Sequence, residues 1–268
     1  MSDNPVAAPS EASTGQEAST DQAILSFIKK ALKAQESLSA LADKTLWYRG
    51  QADETWDLMP GLFRSTKARS LEGDAYKEWV RRADLIEKHE DKEWYHLFNM
   101  QHYGVPTRLL DWTESFAMAV GFCLAFSDNA KKSVPRIFIL DPIALNVATT
   151  GRDRIFEIPE DETLSYRQTY LENKGVMPRG PVAVKPSSYK LSNRRADNQA
   201  GVFTLHVDGT TPLNKEFRQA VTSFTIDPSD IPGARLFLKL SNVNPYTIYP
   251  DFGGLAGYIR AMLSGEMK

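Results

Sequence analysis

The polar side chains with the greatest chemical potential are concentrated between Gln101 and Thr113, in the stretch QHYGVPTRLLDWT. This stretch combines amide, imidazole, phenol, hydroxyl, guanidinium, carboxylate and indole groups, more than a simple turn between two elements requires. The structural alternative is an ion pair between Arg108 and Asp111, with Thr113 or Ser115 as the N-cap of the next helix. The functional hypothesis is a ligand site built from the same residues.

A second motif, WYRGQ, runs from Trp47 to Gln51. It places Arg49 at the end of a predicted strand, directly before a glycine. A guanidinium in such a position suits a phosphate group, which arginine binds in a bidentate manner. The alternative is a surface arginine that is paired with a carboxylate.

Two later motifs are weaker. Arg194 and Arg195 precede Gln199 and Gly201, two positions that would lie on the same side of the strand that begins there. The alternative for this segment is an exposed loop that enters a strand. Residues 249–255, YPDFGGL, contain paired glycines, but no strand of suitable spacing leads into them, so they do not form a dinucleotide-binding fingerprint.

Composition excludes several classes of protein. The formal net charge of −2 and the isoelectric point near 6.1 exclude a broadly basic nucleic-acid coat and leave room for a local basic groove. One cysteine and four histidines without paired ligand spacing predict neither a disulfide scaffold nor a metal site. The sequence lacks the P-loop, G-x-S-x-G and H-E-x-x-H motifs, and Cys123 lies in an apolar segment typical of an inert core thiol.

Localisation follows from the apolar runs. The longest, residues 116–126, is too short to cross a bilayer. Residues 1–20 have neither a basic nor an apolar signal region, and their Ser, Ala, Glu, Thr and Pro content predicts a disordered tail. We therefore predict a cytoplasmic protein without a membrane partner, in which residues 21–268 form one domain.

Apolar periodicity and stop signals predict the elements that position these motifs. Helices are expected from Thr20 or Asp21, in one or two pieces over residues 71–99, and over residues 115–126, 166–172, 231–242 and 252–263. Strands are expected over residues 46–51, 107–112, 136–140, 202–207 and 223–226. Gly104 is predicted to end a helix, and Pro106 prevents it from resuming. The pattern indicates an α+β fold with a helical N-terminal part.

The four motifs, taken in order, resemble the FRG domain of bacterial and phage proteins. The resemblance rests on Tyr48-Arg49-Gly50-Gln51, on Trp56, Leu58, Pro60 and Arg64, and on the whole stretch from Gln101 to Thr113. Ala119, Phe122, Ala125-Phe126, Asp141-Pro142, Gln199-x-Gly201-x-Phe203 and the segment from Tyr249 to Leu255 extend it. It covers roughly residues 40–264, and it implies a setting in phage biology or phage defence.

A more distant resemblance connects the order of the elements to ADP-ribosyltransferases. Their order is a Tyr-Arg-Gly strand, a Thr/Ser strand that feeds an apolar helix, and a late polar strand. This resemblance implies an ADP-ribosyltransferase-like central β core, with NAD as the substrate and cleavage through an oxocarbenium-like transition state. By analogy, Arg49 takes the phosphate or ribose side, Tyr103 or Trp112 stacks on nicotinamide, and Thr113 and Ser115 shape the pocket.

The chain departs from those enzymes at the late strand. Where they place Glu-x-Glu, it has Gln199-Ala200-Gly201. A neutral amide cannot stabilise a developing cation by charge, so Asp111 becomes the strongest candidate carboxylate, with Glu157 and Glu216 as further candidates. The predicted catalytic set is Arg49, Asp111 and Gln199. The predicted ligand-binding set is Gln51, Gln101, His102, Tyr103, Thr107, Arg108, Trp112, Thr113 and Ser115.

Three functional hypotheses follow. The first is an NAD- or nucleotide-directed effector or toxin with ADP-ribosyltransferase or NAD glycohydrolase activity. The second is a catalytically silent module that binds a nucleotide or nucleic acid through the basic cluster Arg194-Arg195. Arg108, Arg152, Arg154 and Arg179 would add to a basic groove. The third is a protein-interaction or inhibitor module that uses the charged segment 71–93 against a protein target.

Overall fold

The computed structural model describes residues 11–38, 45–86, 93–125, 133–158, 165–187 and 200–264. Seven strands of this part form one sheet: β1 Trp47–Gln51, β2 Leu109–Thr113, β3 Arg136–Leu140, β4 Phe156–Ile158, β5 Val182–Pro186, β6 Gly201–Leu205 and β7 Val221–Thr225. Their order is β4-β5-β6-β2-β1-β3-β7. All neighbouring pairs are antiparallel except β4 and β5.

The helices in the described ranges are α1 Glu11–Glu36, α2 Thr66–Ser70, α3 Glu72–Ile86, α4 Glu93–His102, α5 Phe116–Ala125, α6 Pro142–Thr150, α7 Leu213–Glu216, α8 Ile231–Leu240, α9 Pro245–Ile248 and α10 Phe252–Ser264. A 3₁₀ turn covers Gly61–Arg64, and a π-helical turn covers Arg167–Leu171. The fold is therefore mixed α and β on a single sheet.

Two groups of helices cover one face of the sheet. Buried residues of α1, α5 and α8, such as Phe27, Val120 and Ala234, pack with Ile137 and Ile139 of β3. Buried residues of α3, α4 and the π-helical turn pack on the β2, β5 and β6 part of the same face, and they are Tyr76, Trp94, Leu97, Phe98, Met100, Tyr166 and Tyr170. We call this the helix face.

The opposite face is covered by α6, by the segment that follows β1 and by the region around α7. Its core contains Trp47, Trp112 and Phe138 from the sheet, and Leu58 and Leu213 from the covering segments. We call this the loop face. Side chains alternate along a strand, so Arg49 and Gln51 lie on the same face as Trp47.

Gly50 lies on the helix face, where β1 makes its closest approach to α5. A Cβ atom at this position would be 2.0 Å from the carbonyl oxygen of Ala119 and 2.9 Å from Cβ of Cys123. The strand can therefore lie against the helix backbone only because residue 50 has no side chain. Cys123 is buried, as predicted for a core thiol, and burial raises the pKa of its thiol to about 12.

Much of the predicted element pattern is confirmed. Arg136–Leu140 is a strand over the predicted residues, and α5 and α10 agree with their predictions to within two residues. The charged segment 71–99 contains two described helices, α3 and α4. Gly104 follows α4 with φ 76°, and Val105 N–H donates to the carbonyl of Met100 at 2.9 Å. This is the left-handed helix stop that the sequence predicted.

Several elements differ from prediction. Helix α1 begins at Glu11, before the expected start at Thr20 or Asp21. Residues 11–20, which contain Ala, Glu and Gln, continue a helix that tertiary packing holds further along. Residues 1–10 lie outside the described residues, so the division into tail and domain remains a prediction.

The region after β3 contains three elements that periodicity missed: α6, β4 and β5. Helix α6 has a signal, since Asp141 accepts the N–H of Ala144 at 2.8 Å and Pro142 opens the helix. β4 has only three residues, too few for a pattern to be recognised, and β5 is buried along most of its length and so gives no alternating pattern. In the described part of the chain, no helix is long and apolar enough to span a bilayer.

The contact at residue 50 gives a stability prediction. Gly50→Ala should lower the free energy of unfolding by about 1–3 kcal/mol, because the added methyl group overlaps the backbone of α5. Gly73→Ala is the matched control, since a Cβ there meets no atom within 4 Å. Urea titration measures both variants. An unchanged unfolding midpoint for Gly50→Ala would contradict the close packing of β1 and α5.

Candidate anion-binding site

Two arginines and a glutamine lie next to one another at one end of the loop face. The register pairs Gln51 of β1 with Arg136 of β3, and Arg49 with Phe138. Directly opposed residues of antiparallel strands point to the same face, with Cβ atoms about 4.5–5.5 Å apart. The guanidinium of Arg136 lies 5.5 Å from the centre of the Phe138 ring, and Phe138 is the residue of β3 that pairs with Arg49. We call Arg49, Gln51 and Arg136 the arginine group.

Each member of the arginine group has a buried polar atom without a hydrogen-bond partner among the described residues. These atoms are Nε of Arg49, Oε1 of Gln51 and Nε of Arg136. Gln51 is only 5% exposed. An unsatisfied buried polar atom costs about 1–3 kcal/mol, and native proteins keep few of them. Three of them lie on neighbouring positions of two strands.

The Arg49 side chain reaches across the boundary between β1 and β2. Its Nη1 donates to the backbone carbonyl of Asp111 at 2.7 Å and lies 3.8 Å from Oδ2 of the same residue. Burial lowers the pKa of Arg49, and the positive charge of Arg64 lowers it further, whereas Asp111 opposes this shift. The side chain is 20% exposed, so one edge of a mainly buried cation remains accessible from outside.

Asp111 belongs to a polar chain that begins in α4. Gln101 Nε2 donates to Oδ2 of Asp111 at 2.7 Å, and Gln101 Oε1 accepts the hydroxyl proton of Thr107 at 2.5 Å. Thr107 Oγ1 also accepts the N–H of Leu109 at 3.0 Å. The side chain of Asp111 is 52% exposed, so its ion pair with Arg49 is weak, but its orientation is fixed.

Further charges surround the arginine group. Arg64 donates from Nε and Nη2 to the carbonyl of Met59 at 3.0 and 2.9 Å, which holds its guanidinium near Arg49. The carboxylate of Asp57 accepts hydrogen bonds from Nζ of Lys215 at 2.6 Å and from Nδ2 of Asn214 at 3.1 Å. The hydrogen bond from Lys215 is the main cause of the lowered pKa of Asp57, and the charge of Arg136 contributes. The site is thus positively charged within a nearly neutral chain.

Arg108 is separate from the arginine group. Its guanidinium forms a bidentate pair with the carboxylate of Glu72, and Nη1 donates to the carbonyls of His206 and Val207 at 3.0 and 2.8 Å. It also lies over the Tyr170 ring, 4.8 Å from the centre. The alternative Arg108–Asp111 ion pair does not form: Arg108 is paired with Glu72, and Asp111 is in contact with Gln101 and Arg49.

Trp112 is buried rather than available for stacking. Its ring is 3% exposed, and Nε1 donates to Oγ1 of Thr204 at 3.1 Å. Thr204 Oγ1 is in turn 3.0 Å from Nε2 of His206. Since Thr204 accepts the indole proton, it can donate its own proton to a neutral imidazole. Burial, with the charge of Arg108 nearby, lowers the pKa of His206 to about 3.

The remaining predicted residues have different surroundings. Tyr103 is 68% exposed and contacts the rings of Trp79 and His102 at the end of α4. Ser115 accepts the N–H of Met118 at 3.3 Å and is the N-cap of α5, whereas Thr113 accepts the N–H of Ser115 at 3.0 Å in the turn before the helix. Of the two residues in the predicted structural alternative, Ser115 is therefore the cap. Gln199, Arg194 and Arg195 lie outside the described residues.

The structure therefore connects Arg49, Gln101, Thr107 and Asp111, and it places Gln51 beside Arg49 on the loop face. It adds two residues that sequence reasoning missed. These are Arg136, the first residue of a predicted strand, and Arg64, which was noted only within the family motif. Neither has a local signal, since their approach to Arg49 depends on strand pairing and on the path of a loop. Among the described residues, no group of three His, Cys, Asp or Glu side chains is arranged to hold a metal ion.

Comparison with known proteins bears on this segment. A family model described as the FRG domain matches residues 44–133. The FRG resemblance is confirmed over these residues. Searches of curated proteins and of solved structures gave no match. The FRG segment contains β1, β2 and helices α2 to α5, and therefore Arg49, Gln51, Arg64 and Asp111, whereas Arg136 follows it. Over the rest of residues 40–264 the resemblance rests on the motifs alone.

The buried Arg108–Glu72 pair gives a second stability prediction. Glu72→Gln should lower the free energy of unfolding by about 3–5 kcal/mol, because it leaves a buried guanidinium without its counter-charge. Glu78→Gln removes a carboxylate that contacts Arg81 and Arg82 on the exposed side of α3, and it should cost less than about 1 kcal/mol. Equal losses in urea titrations would contradict a structural role for Arg108.

The lowered pKa of His206 gives a prediction about pH. Between about pH 6.5 and pH 3 the unfolded chain binds a proton at this imidazole and the folded chain does not. Stability should therefore fall as the pH falls through this window, by up to about 1.4 kcal/mol per pH unit from this group. His206→Gln should have a flatter dependence than the wild type in denaturant titrations at several pH values. Parallel curves for the two proteins would contradict the assignment.

Proposed function

We propose that the arginine group binds the phosphate of a nucleotide. The single observation that carries this proposal is the cluster of three buried, unpartnered polar atoms on Arg49, Gln51 and Arg136. Arg64 adds positive charge from the loop above. A phosphate oxygen accepts hydrogen bonds from guanidinium N–H groups, and charge-assisted bonds of this kind are about twice as strong as neutral ones.

The amide of Gln51 distinguishes this site from a simple cation cluster. Its Oε1 is an unpartnered acceptor, so it matches a donor on the ligand rather than another anionic oxygen. The hydroxyl groups of a ribose are such donors. A phosphate joined to a sugar therefore satisfies both the arginines and the glutamine, whereas inorganic phosphate without a proton satisfies only the arginines.

A second candidate function is the cleavage of NAD by an ADP-ribosyltransferase-like core. The observation that favours it is Asp111, a half-exposed carboxylate fixed by Gln101 and adjacent to Arg49. The sheet order β6-β2-β1 also sets the late strand, the strand that feeds α5 and the arginine strand side by side. In this candidate Arg49 holds the pyrophosphate, and Asp111 stabilises the positive charge that develops on the ribose.

The biological setting of the second candidate is an effector or toxin in phage–host conflict. Transfer of ADP-ribose would require a protein or nucleic-acid target, while release of nicotinamide alone would require only water. The binding function does not depend on either reaction. The binding function therefore requires fewer assumptions about the residues that surround Arg49.

Binding can be measured with AMP and NAD by isothermal titration calorimetry. Arg49→Ala and Arg136→Ala should each weaken binding by about tenfold to a hundredfold, the usual loss for a hydrogen bond to a charged group. Arg81→Ala is the matched control, because Arg81 is 68% exposed on α3 and pairs with Glu78. Wild-type protein that binds neither ligand, or that binds both without dependence on Arg49, would overturn the proposal.

Asp111→Asn separates the two functions. In a binding module this change removes a negative charge beside the phosphate site, so AMP should bind as well as or better than in the wild type. In an enzyme it should reduce nicotinamide release from NAD by at least about a hundredfold while NAD still binds. Release of nicotinamide is followed by chromatography with cell lysate present. No release by the wild type would eliminate the enzymatic candidate.

A further inference from the structure

Trp56 differs from the other tryptophans near the sheet. Trp47, Trp94 and Trp112 are 0%, 4% and 3% exposed, whereas Trp56 is 54% exposed. An indole is one of the largest apolar surfaces that a protein can leave in water, and indoles in such positions are enriched where proteins bind other molecules. The exposed indole of Trp56 is therefore a candidate contact for a ligand.

The backbone on the N-terminal side of Trp56 is held by a small hydrogen-bonded turn. Asp53 Oδ1 accepts both the backbone N–H of Thr55 at 2.9 Å and the hydroxyl of Thr55 at 2.6 Å. The N–H of Trp56 donates to the carbonyl of Asp53 at 3.3 Å. This turn presents the residue that follows it in a fixed orientation.

The C-terminal side is held as firmly. Asp57 is paired with Lys215, and the N–H of Leu58 donates to Oδ1 of Asn214 at 2.9 Å. Leu58 itself is fully buried in the loop-face core. The backbone around Trp56 is thus fixed at both ends while its side chain is left exposed. A backbone that is already held at both ends loses little conformational entropy when a ligand covers the residue between them.

This segment crosses the sheet beside the arginine group. Leu58 packs in the same cluster as Phe138, which is the register partner of Arg49 and lies under the guanidinium of Arg136. Asp57, the residue between Trp56 and Leu58, is close enough to Arg136 for the arginine charge to lower its pKa. Trp56 is thus the residue before the carboxylate on which the charge of Arg136 acts, and it follows Gln51 of the arginine group by five positions.

We propose that Trp56 is the surface on which the base of the bound nucleotide stacks. This inference rests on the proposed function and specifies its ligand as a nucleoside phosphate rather than a sugar phosphate. The π-face of an indole accepts any base, and such stacking contributes about 1–3 kcal/mol per base. Of the two residues predicted to stack on a ring, Trp112 is buried, and Tyr103 lies at the end of α4 in contact with the Trp79 ring.

AMP and ribose 5-phosphate form the decisive pair of probes, because they share the phosphate and the ribose and differ by the base. Wild-type protein should bind AMP about 5- to 100-fold more tightly than ribose 5-phosphate. Trp56→Ala should abolish that preference by weakening AMP alone, and Trp56→Phe should retain part of it. Arg49→Ala should weaken both probes. Calorimetric titration measures all four proteins.

Tyr246→Ala is the matched control, since Tyr246 is another exposed aromatic residue, at 46%, on helix α9. It should leave the affinity for both probes unchanged. Equal binding of AMP and ribose 5-phosphate by the wild type, or a preference that survives in Trp56→Ala, would overturn this inference and leave the phosphate site intact. Binding of neither probe would overturn the proposed function as well.

Fluorescence provides an independent readout of contact. Acrylamide quenches exposed indoles, so the difference in quenching between wild type and Trp56→Phe isolates the Trp56 signal. Saturating AMP should protect this signal, and saturating ribose 5-phosphate should protect it less. Equal protection by the two probes would show that the base does not cover the indole.

Discussion

The close approach of β1 to α5 at Gly50 is the constraint on which the site depends. A side chain at this position would overlap the backbone of Ala119, so the strand can lie against the helix only with glycine. Because side chains alternate along a strand, fixing Gly50 on the helix face fixes Arg49 and Gln51 on the loop face. One steric contact therefore determines where the two polar side chains of β1 point.

The protein uses buried arginine in two different ways. Arg108 has the carboxylate of Glu72, two backbone carbonyls and an aromatic ring, so its desolvation is compensated within the fold. Arg49 has one backbone carbonyl and a distant carboxylate, and its Nε has no partner among the described residues. The first arrangement stabilises the junction of α3, β2 and β6. The second leaves hydrogen-bonding capacity on Arg49 unused, which is the basis of the proposed phosphate site.

Sequence reasoning located the important segments better than the roles of their residues. Arg49, Asp111, Gln101 and Thr107 are connected by short contacts, as their concentration in two motifs suggested. Ser115 proved to be the N-cap of α5, because the first N–H groups of a helix need acceptors, and Thr113 stabilises the turn before it. Arg136 was missed because nothing near it along the chain indicates that its strand pairs with the strand of Arg49.

The sequence by itself determined the local features: the glycine stop after α4, the N-cap of α5, the strand of Arg136–Leu140 and the FRG motifs. These depend on residues a few positions apart, whose types dictate backbone conformation. The tertiary structure decided which arginine is satisfied and which remains open. That outcome depends on partners far apart in the chain, such as Glu72 for Arg108, and on the pairing of β1 with β3. Burial and strand register are collective properties of the whole sheet, and no single motif contains them.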